Sequence, residues 1–110
     1  MRIVGWSMSP TLRPGDVVFV KPSTGRHVFR RGELVAVRST DADGKTLIKR
    51  LAALPHERID VEGRRWQLGE DQFFLLGDHP ASQDSRAFGP VSRHELVGLV
   101  RLRLWPWTRF

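Results

Sequence analysis

Glycine and proline interrupt this sequence so often that it favours short strands over long helices. Ten glycines and seven prolines are spread over 110 residues, and no long segment shows the 3.6-residue apolar periodicity of a helix. Short runs rich in apolar and β-branched residues lie between these breaks, as is typical of strands bounded by turns. The predicted strands span residues 16–20, 33–38, 46–53, 58–61, 65–68, 73–76 and 97–105.

Local signals also predict three turns and one helical turn. Asp43-Gly44 and Glu62-Gly63 suit tight hairpin turns that require positive φ, and Pro14-Gly15-Asp16 turns the chain into the first strand. Ser92 can cap a single helical turn at residues 92–96, because a glutamate follows three residues later. We therefore predict a mainly β protein. Its coiled antiparallel sheets form one compact, barrel-like domain over residues 1–110, with at most one short helical turn.

Composition excludes several kinds of chemistry. The chain has no cysteine, which removes disulfides, thiol catalysis and cysteine-ligated metals. It contains no run of about 18 apolar residues and no secretory leader, so we expect a soluble protein that stays in the cytoplasm. Eighteen basic residues against twelve acidic ones give a net charge of +6. We attribute that charge to solubility and do not expect a nucleic-acid partner.

The first segment with chemical potential is the loop of residues 5–12. Pro10 holds Ser9 extended and keeps the region from becoming a helix. Ser7 can therefore stand exposed on a fixed turn, where a hydroxyl is accessible. A serine beside a proline is usually an ordinary turn residue, and this segment alone does not decide between the two interpretations.

A lysine on an apolar strand face is the second candidate. Strand alternation puts Leu47, Lys49 and Leu51 on one face of residues 46–53. An amine on such a face loses hydration, which lowers its pKa from about 10.4 and lets it accept a proton near neutral pH. The alternative is an edge lysine whose amine reaches water.

The third candidate is the polar loop of residues 76–91, which is longer than a hairpin needs. Asp84 and Arg86 can pair locally through two hydrogen bonds, which would make the loop rigid and leave Ser82 free to orient a neighbouring group. The alternative is a solvated surface loop whose ion pair contributes little.

Taken in order, these segments resemble the successive sequence boxes of signal peptidase I. The matching boxes are Ser7-Met8-Ser9-Pro10-Thr11-Leu12, Leu47-Ile48-Lys49-Arg50 with Leu54-Pro55, and Gly77-Asp78 through Asp84-Ser85-Arg86 and Gly89. The resemblance covers nearly the whole chain. It implies a serine endopeptidase with the catalytic fold that signal peptidases share with self-cleaving repressors, acting without a cofactor or metal.

The resemblance also implies a role for individual residues. It makes Ser7 the nucleophile, Lys49 the general base and Ser82 the hydroxyl that orients the lysine. The loop-stabilising residues are Asp78, Asp84 and Arg86. The residues implied for the oxyanion and the substrate are Gly5, Met8 and Pro10. Some family members have a serine donor where this chain has Gly5, so the oxyanion hole would rely on backbone N–H groups, including that of Ser7.

Departures from the family pattern bear on the substrate. His79 stands where the family has asparagine, His56-Glu57 replaces its Gly-Asp, and Phe88 replaces a tryptophan. Signal peptidases usually carry spanning helices before the serine, whereas only six residues precede Ser7 here. The chain looks most like the small anchorless maturation proteases of nickel-type superoxide dismutase, which implies a precursor protein with a cleavable N-terminal segment as the partner.

Other functions remain open from the sequence. The chain could act as a peripheral signal peptidase on the cytoplasmic membrane, or as a basic β module that binds lipid or nucleic acid. The residues that would serve such binding are Arg101, Arg103, Trp105, Trp107, Arg109 and Phe110. A Ser-His-Asp triad would use His79 or His94 with Asp78 or Asp84. A metal site would use Asp78, His79 and Asp84.

Overall fold

Short strands occupy most of the chain. The computed structural model describes residues 1–24, 27–38 and 45–110. Its strands are β1 (Val17–Pro22), β2 (Leu34–Arg38), β3 (Thr46–Ala53), β4 (Arg58–Val61), β5 (Arg64–Gln67), β6 (Gln72–Leu76), β7 (Val91–Ser92), β8 (Leu96–Trp105) and β9 (Trp107–Arg109). All seven predicted strands are present, with ends that differ by no more than two residues from the prediction. The short strands β7 and β9 were not predicted.

The main sheet is antiparallel and open. Its strand order is β1-β8-β2-β3-β6-β7, with β9 paired to β8, while β4 and β5 form a separate hairpin. Among the described residues, no pairing joins β1 to β7, so the predicted barrel-like arrangement is not a closed barrel. Strand β3 lies between β2 and β6; Lys49 pairs with Val35 of β2 and immediately precedes the part of β3 that pairs with β6.

Two of the predicted turns have the expected backbone. Glu62 and Gly63 have φ values of 51° and 77° and join β4 to β5 as a tight hairpin. Gly15 has a φ of 92°, and the backbone N–H of Arg13 donates to Asp16 Oδ2 at 3.0 Å as the chain turns into β1. The Asp43-Gly44 turn lies outside the described residues.

Helical structure is limited to single turns. A 3₁₀ turn covers Arg93–Glu95, and the backbone N–H of Ser92 donates to Glu95 Oε2 at 2.9 Å, as the capping pattern predicts. A one-turn helix, α1 (Ser85–Phe88), begins after Asp84, within a segment predicted as loop. No helix in the described part of the chain is both long enough and apolar enough to span a membrane.

Alternation along the central strands separates two apolar clusters. In β3, Ile48 packs into one cluster and Leu51 into the other, with Leu47 lying against the second. The cluster around Ile48 also takes Met8 and Leu12 from the N-terminal loop, and both are buried. Ile3, which precedes Ser7, belongs to the same cluster, so apolar contacts on either side of Ser7 fix its loop to the sheet.

Candidate active site

Ser7 lies on a turn that is held from several directions. The backbone N–H of Ser9 donates to the Trp6 carbonyl at 3.0 Å, and that of His79 donates to the Ser7 carbonyl at 2.9 Å. Ser7 lines a cavity of about 370 Å³ that Lys49 and Ser82 also line. The structure therefore brings the predicted nucleophile, base and orienting serine to one cavity.

Lys49 is buried, with only 2% of its surface exposed, although, among the described strands, β3 pairs with β2 alone at this residue. The alternative of a lysine whose amine reaches water is therefore wrong. Its Nζ donates a hydrogen bond to Ser82 Oγ at 3.1 Å. In the part of the chain that the structure describes, the amine bonds to this hydroxyl and not to Ser7, which it meets across the shared cavity.

The environment of Lys49 favours the neutral amine. Burial lowers the pKa of Lys49 below the ordinary lysine value, the negative charge of Asp84 opposes this change, and the positive charge of Arg86 adds to it. The net result is a lowered pKa, because removing an ammonium from water penalises its charged form. A larger fraction of Lys49 can therefore accept a proton near neutral pH than of an exposed lysine.

The ion pair between Asp84 and Arg86 fixes the backbone around Ser82. Asp84 Oδ1 accepts from Arg86 Nε at 2.9 Å, and Oδ2 accepts from Arg86 Nη2 at 2.8 Å and from the Gly77 N–H at 2.8 Å. Arg86 Nη2 also donates to the Ser82 carbonyl at 3.3 Å. Burial alone would raise the pKa of Asp84, but these hydrogen bonds outweigh it and hold the pKa below its usual value.

Asp78 joins the three segments that are predicted to carry the active site. Its Oδ2 accepts from Thr11 Oγ1 at 2.6 Å and from Arg50 Nη2 at 2.7 Å. Thr11 belongs to the loop after Ser7, and Arg50 follows Lys49 on β3. Burial raises the pKa of Asp78, but the hydrogen bonds from Arg50 and Thr11 outweigh this effect and leave the pKa lowered. Asp78 therefore fixes the relative positions of the loop, the strand and its own segment.

Of the three residues predicted to contact the oxyanion or the substrate, Gly5 and Met8 line cavities and Pro10 does not. Gly5 lines the same cavity as Ser7 and has a φ of 85°. Met8 and Ser7 line an adjacent, mainly apolar groove of about 700 Å³, together with Leu47 and Ile48. Pro10 is exposed and does not line either cavity.

A free strand edge runs beside this groove. Strand β3 pairs with β2 along Thr46–Arg50 but meets β6 only from Arg50 onward. Within the described residues, the side of β3 facing away from β2 therefore has no strand partner over residues 46–49. Such an edge can pair with an extended peptide.

Glu62 and Arg103 support the site through contacts that sequence reasoning did not predict. Arg86 Nη1 donates to Glu62 Oε1 at 2.9 Å, which ties the loop to the β4–β5 hairpin. Arg103 Nη1 donates to the Thr11 carbonyl at 3.2 Å and to Asp16 Oδ2 at 3.1 Å. Arg103 was singled out only for its charge, because no local sequence signal connects it to the distant segment that contains Thr11 and Asp16.

The imidazoles do not form the alternative triad. His79 Nδ1 accepts from the Ala81 N–H at 3.0 Å, and His94 Nδ1 lies 2.8 Å from Ser92 Oγ. The carboxylates of Asp78 and Asp84 bind arginines, as described above. Among the described residues, no group of three or more histidine, cysteine, aspartate or glutamate side chains is arranged to hold a metal ion.

Comparisons with known proteins agree on one family. The family model described as signal peptidase, peptidase S26, matches residues 1–67 and 61–105. Mitochondrial inner membrane protease subunit 1 of Mus musculus is 30% identical over 96% of this chain and 69% of its own length. Mitochondrial ATP-independent inner membrane protease subunit 1b of Arabidopsis thaliana is 32% identical over the same shares, 96% and 69%. Signal peptidase I of Leptolyngbya laminosa is 30% identical over 94% of this chain and 66% of its own length.

This β-rich chain, with a serine and a buried lysine at one cavity, therefore belongs to the S26 family of signal peptidases. By that membership it is a serine peptidase. The resemblance to signal peptidase I in the three sequence boxes is confirmed at the level of the family.

Gly77 provides a test of the packing at this site. A Cβ added at residue 77 would overlap the Ser82 side chain and come within 2.6 Å of the Ser7 carbonyl oxygen. We expect Gly77→Ala to displace both serines and to lower peptidase activity by about tenfold to a hundredfold, because small misplacements of reacting groups are costly. The measurement is kcat/KM on a cleavable peptide. Gly69→Ala is the control, since its added Cβ meets only the flexible Gln72 side chain, and equal losses in both variants would contradict the expectation.

Proposed function

We propose that the chain is an endopeptidase in which Lys49 is the general base for Ser7. The observation that carries the proposal is a buried lysine whose Nζ binds Ser82 Oγ at the cavity lined by Ser7. Ser7 Oγ attacks the peptide carbonyl carbon while its proton passes to the neutral Lys49 amine. The resulting ammonium protonates the leaving amine, and an acyl-enzyme remains. Lys49 then takes a proton from water, whose oxygen attacks the ester carbonyl carbon. The bond between that carbon and Ser7 Oγ breaks, and the Lys49 ammonium returns the proton to Ser7 Oγ.

Ser82 keeps the amine in place during these proton transfers. Its hydroxyl binds Lys49 Nζ at 3.1 Å, and the Asp84–Arg86 pair fixes its backbone. The oxyanion formed on the substrate carbonyl would be bound by backbone N–H groups, including that of Ser7, because Gly5 offers no side-chain donor. In other enzymes, loss of one such donor lowers the rate by about a hundredfold to a thousandfold.

The substrate would bind in an extended conformation. The unpaired edge of β3 before Arg50 offers backbone hydrogen bonds, and the groove lined by Met8, Leu47 and Ile48 offers apolar contacts. The resemblance to signal peptidase I supports small residues, often alanine, before the scissile bond. Backbone pairing would supply affinity, and the groove would select among side chains.

The proposed substrate is a precursor protein with a removable N-terminal leader. Residues 77–91 resemble the corresponding box of the nickel-type superoxide dismutase maturation proteases, with Ser82-Gln83-Asp84-Ser85-Arg86 at its centre. This resemblance supports a cytoplasmic metalloenzyme precursor, whose freed N-terminal amine would ligate nickel. Its cleavage would take place in the cytoplasm.

A second candidate, a peripheral signal peptidase at the cytoplasmic membrane, is favoured by the β8–β9 hairpin. Trp105 and Trp107 are 72% and 67% exposed at its tip, and Arg101 and Arg109 are exposed on the same two strands. Tryptophan rings partition to the lipid interface, and arginines are attracted to anionic headgroups. The relatives named above include proteases of the mitochondrial inner membrane. A lipid-binding role without proteolysis would use the same surface.

The dyad is tested with Ser7→Ala and Lys49→Met. We expect each variant to lose at least about a thousandfold in kcat/KM, because catalytic groups that act as a unit each abolish most of the rate. The substrates are a nickel superoxide dismutase precursor and an exported preprotein, and mass spectrometry reads the new N-terminus. Lys21→Met is the matched control, since Lys21 is exposed on β1. Normal cleavage by both site variants would refute the dyad.

The pH dependence of wild-type kcat/KM tests the state of Lys49. The neutral amine is the active form, so the rate should fall as pH decreases through the pKa of Lys49. Because burial lowers that pKa, the midpoint of this decrease should lie below about 10.4, the value for a free lysine side chain. A midpoint at or above that value would show that the amine is not desolvated in the working enzyme.

Membrane contact is tested by sedimentation with vesicles of phosphatidylcholine and phosphatidylglycerol. The double variant Trp105→Ser/Trp107→Ser should partition at least about tenfold more weakly than wild type, because two interfacial rings are lost. Val28→Ser controls for a change at another exposed apolar residue, 74% accessible. If wild type does not sediment with the vesicles, the membrane proposal fails.

A further inference from the structure

His79 lines the cavity of Ser7 and Lys49, yet the proposed reaction does not use its side chain. Three hydrogen bonds connect this residue to its surroundings. Its backbone N–H donates to the Ser7 carbonyl at 2.9 Å, and its carbonyl accepts from the Ser82 N–H at 3.0 Å. Its Nδ1 accepts from the Ala81 N–H at 3.0 Å. One residue therefore connects the segments of the predicted nucleophile and of the serine that binds the lysine.

The side-chain bond requires one form of the imidazole. Nδ1 can accept the Ala81 N–H only when it carries no proton, so the neutral ring must be protonated on Nε2. A doubly protonated imidazole has no acceptor, and its Nδ1–H would point at another donor. Asparagine makes the equivalent turn with its side-chain oxygen, which accepts from the N–H two residues later and does not titrate.

We propose that His79 is a positioning residue whose neutral, Nε2-protonated imidazole holds the turn of residues 79–82 and so presents Ser82 Oγ to Lys49. The hydrogen bond from Ala81 closes the turn on the side-chain side, and that from Ser82 closes it through the backbone. Tight packing makes the turn sensitive to displacement, since Ser82 and the Ser7 carbonyl both lie against Gly77. The effect of His79 on catalysis rests on the proposed function, whereas its role in holding the turn does not.

Protonation of His79 adds a second pH requirement to the site. A protonated Nδ1 cannot accept from the Ala81 N–H, so the turn loosens and Ser82 is held less firmly. The other titratable groups around the turn are Lys49 on β3, Asp78 on the same segment, and the Asp84–Arg86 pair beyond Ser82. Hydrogen bonds from arginines hold the pKa values of Asp78 and Asp84 below their usual range, so both stay ionised at neutral and mildly acidic pH. Lys49 must be neutral to act as the base, and a neutral His79 imidazole is needed for the intact turn.

The pH profile separates this role from a merely structural one. In wild type, acidification should lower kcat/KM by about tenfold more than protonation of Lys49 alone does, because loss of the Ala81 bond has the same effect as loss of the acceptor. His79→Asn keeps an acceptor that does not titrate, so it should retain activity within about threefold at neutral pH and lack this additional loss. His79→Ala loses the acceptor and should lower kcat on the order of tenfold, with KM nearly unchanged. His94→Asn is the control, an exposed imidazole on the 3₁₀ turn.

Two measurements without substrate test the turn independently of catalysis. The ¹⁵N shifts of the His79 ring, assigned by their loss in His79→Asn, should report the Nε2–H tautomer at neutral pH. After correction for the intrinsic pH dependence of exchange, protection of the Ala81 amide should fall on acidification in wild type and stay constant in His79→Asn. An Nδ1–H tautomer, or an additional acid-side loss of activity that persists in His79→Asn, would overturn the proposal. If Ser7→Ala and Lys49→Met cleave normally, the proposed function fails, while the tautomer and exchange data still decide the role of His79 in the turn.

Discussion

A carboxylate with no solvent exposure, that of Asp84, determines how the loop after β6 is built. Taking such a charge out of water costs several kcal/mol, and the cost is offset only when every oxygen finds good donors. Here Arg86 supplies two side-chain donors and its own N–H, and Gly77 supplies another. Removing any of them would leave a buried charge underpaired. These bonds therefore fix the loop around Asp84 in a conformation that brings Ser82 to Lys49.

Arginines connect the other loops to the sheet in the same manner. Arg50 binds Asp78, and Arg103 binds Asp16 and the Thr11 carbonyl. Together with the Asp84–Arg86 pair, these contacts enclose the turn of Ser7 on three sides, which are β3, the loop after β6 and the β8–β9 hairpin. The attribution of the net positive charge to solubility is thus incomplete, because these three basic residues are half-buried and bind loop backbone or carboxylates. A charged donor with several N–H groups can satisfy a carboxylate and a carbonyl at once, which suits junctions between irregular segments.

Sequence reasoning was most successful where a local rule applied. Strand alternation predicted seven strands and put Leu47 and Leu51 on one side of the sheet, and the Glu62-Gly63 turn was confirmed. Strands β7 and β9 were missed because two or three residues are too few to show a period of two.

The positions of the predicted dyad came from a family resemblance. Alternation could not show that Lys49 is buried, because its burial depends on the segments that pack around β3. The partners of Glu62 and Arg103 are 24 and 87 residues away, and no local pattern encodes such contacts.

The charges beside Lys49 explain how a rigid loop can coexist with a neutral base. A lone carboxylate near the amine would stabilise the ammonium and raise the pKa of Lys49. Asp84 does exert that effect, but Arg86, paired to it, exerts the opposite one, and burial remains the largest influence. Because Asp84 and Arg86 are paired, they form strong hydrogen bonds with the backbone while leaving only a small net electrostatic field at the Lys49 amine. An apolar packing of the loop would avoid that field but would lack the directional bonds that fix Ser82. The ion pair thus meets two requirements at once: a fixed partner for the amine, and a pKa that desolvation can lower.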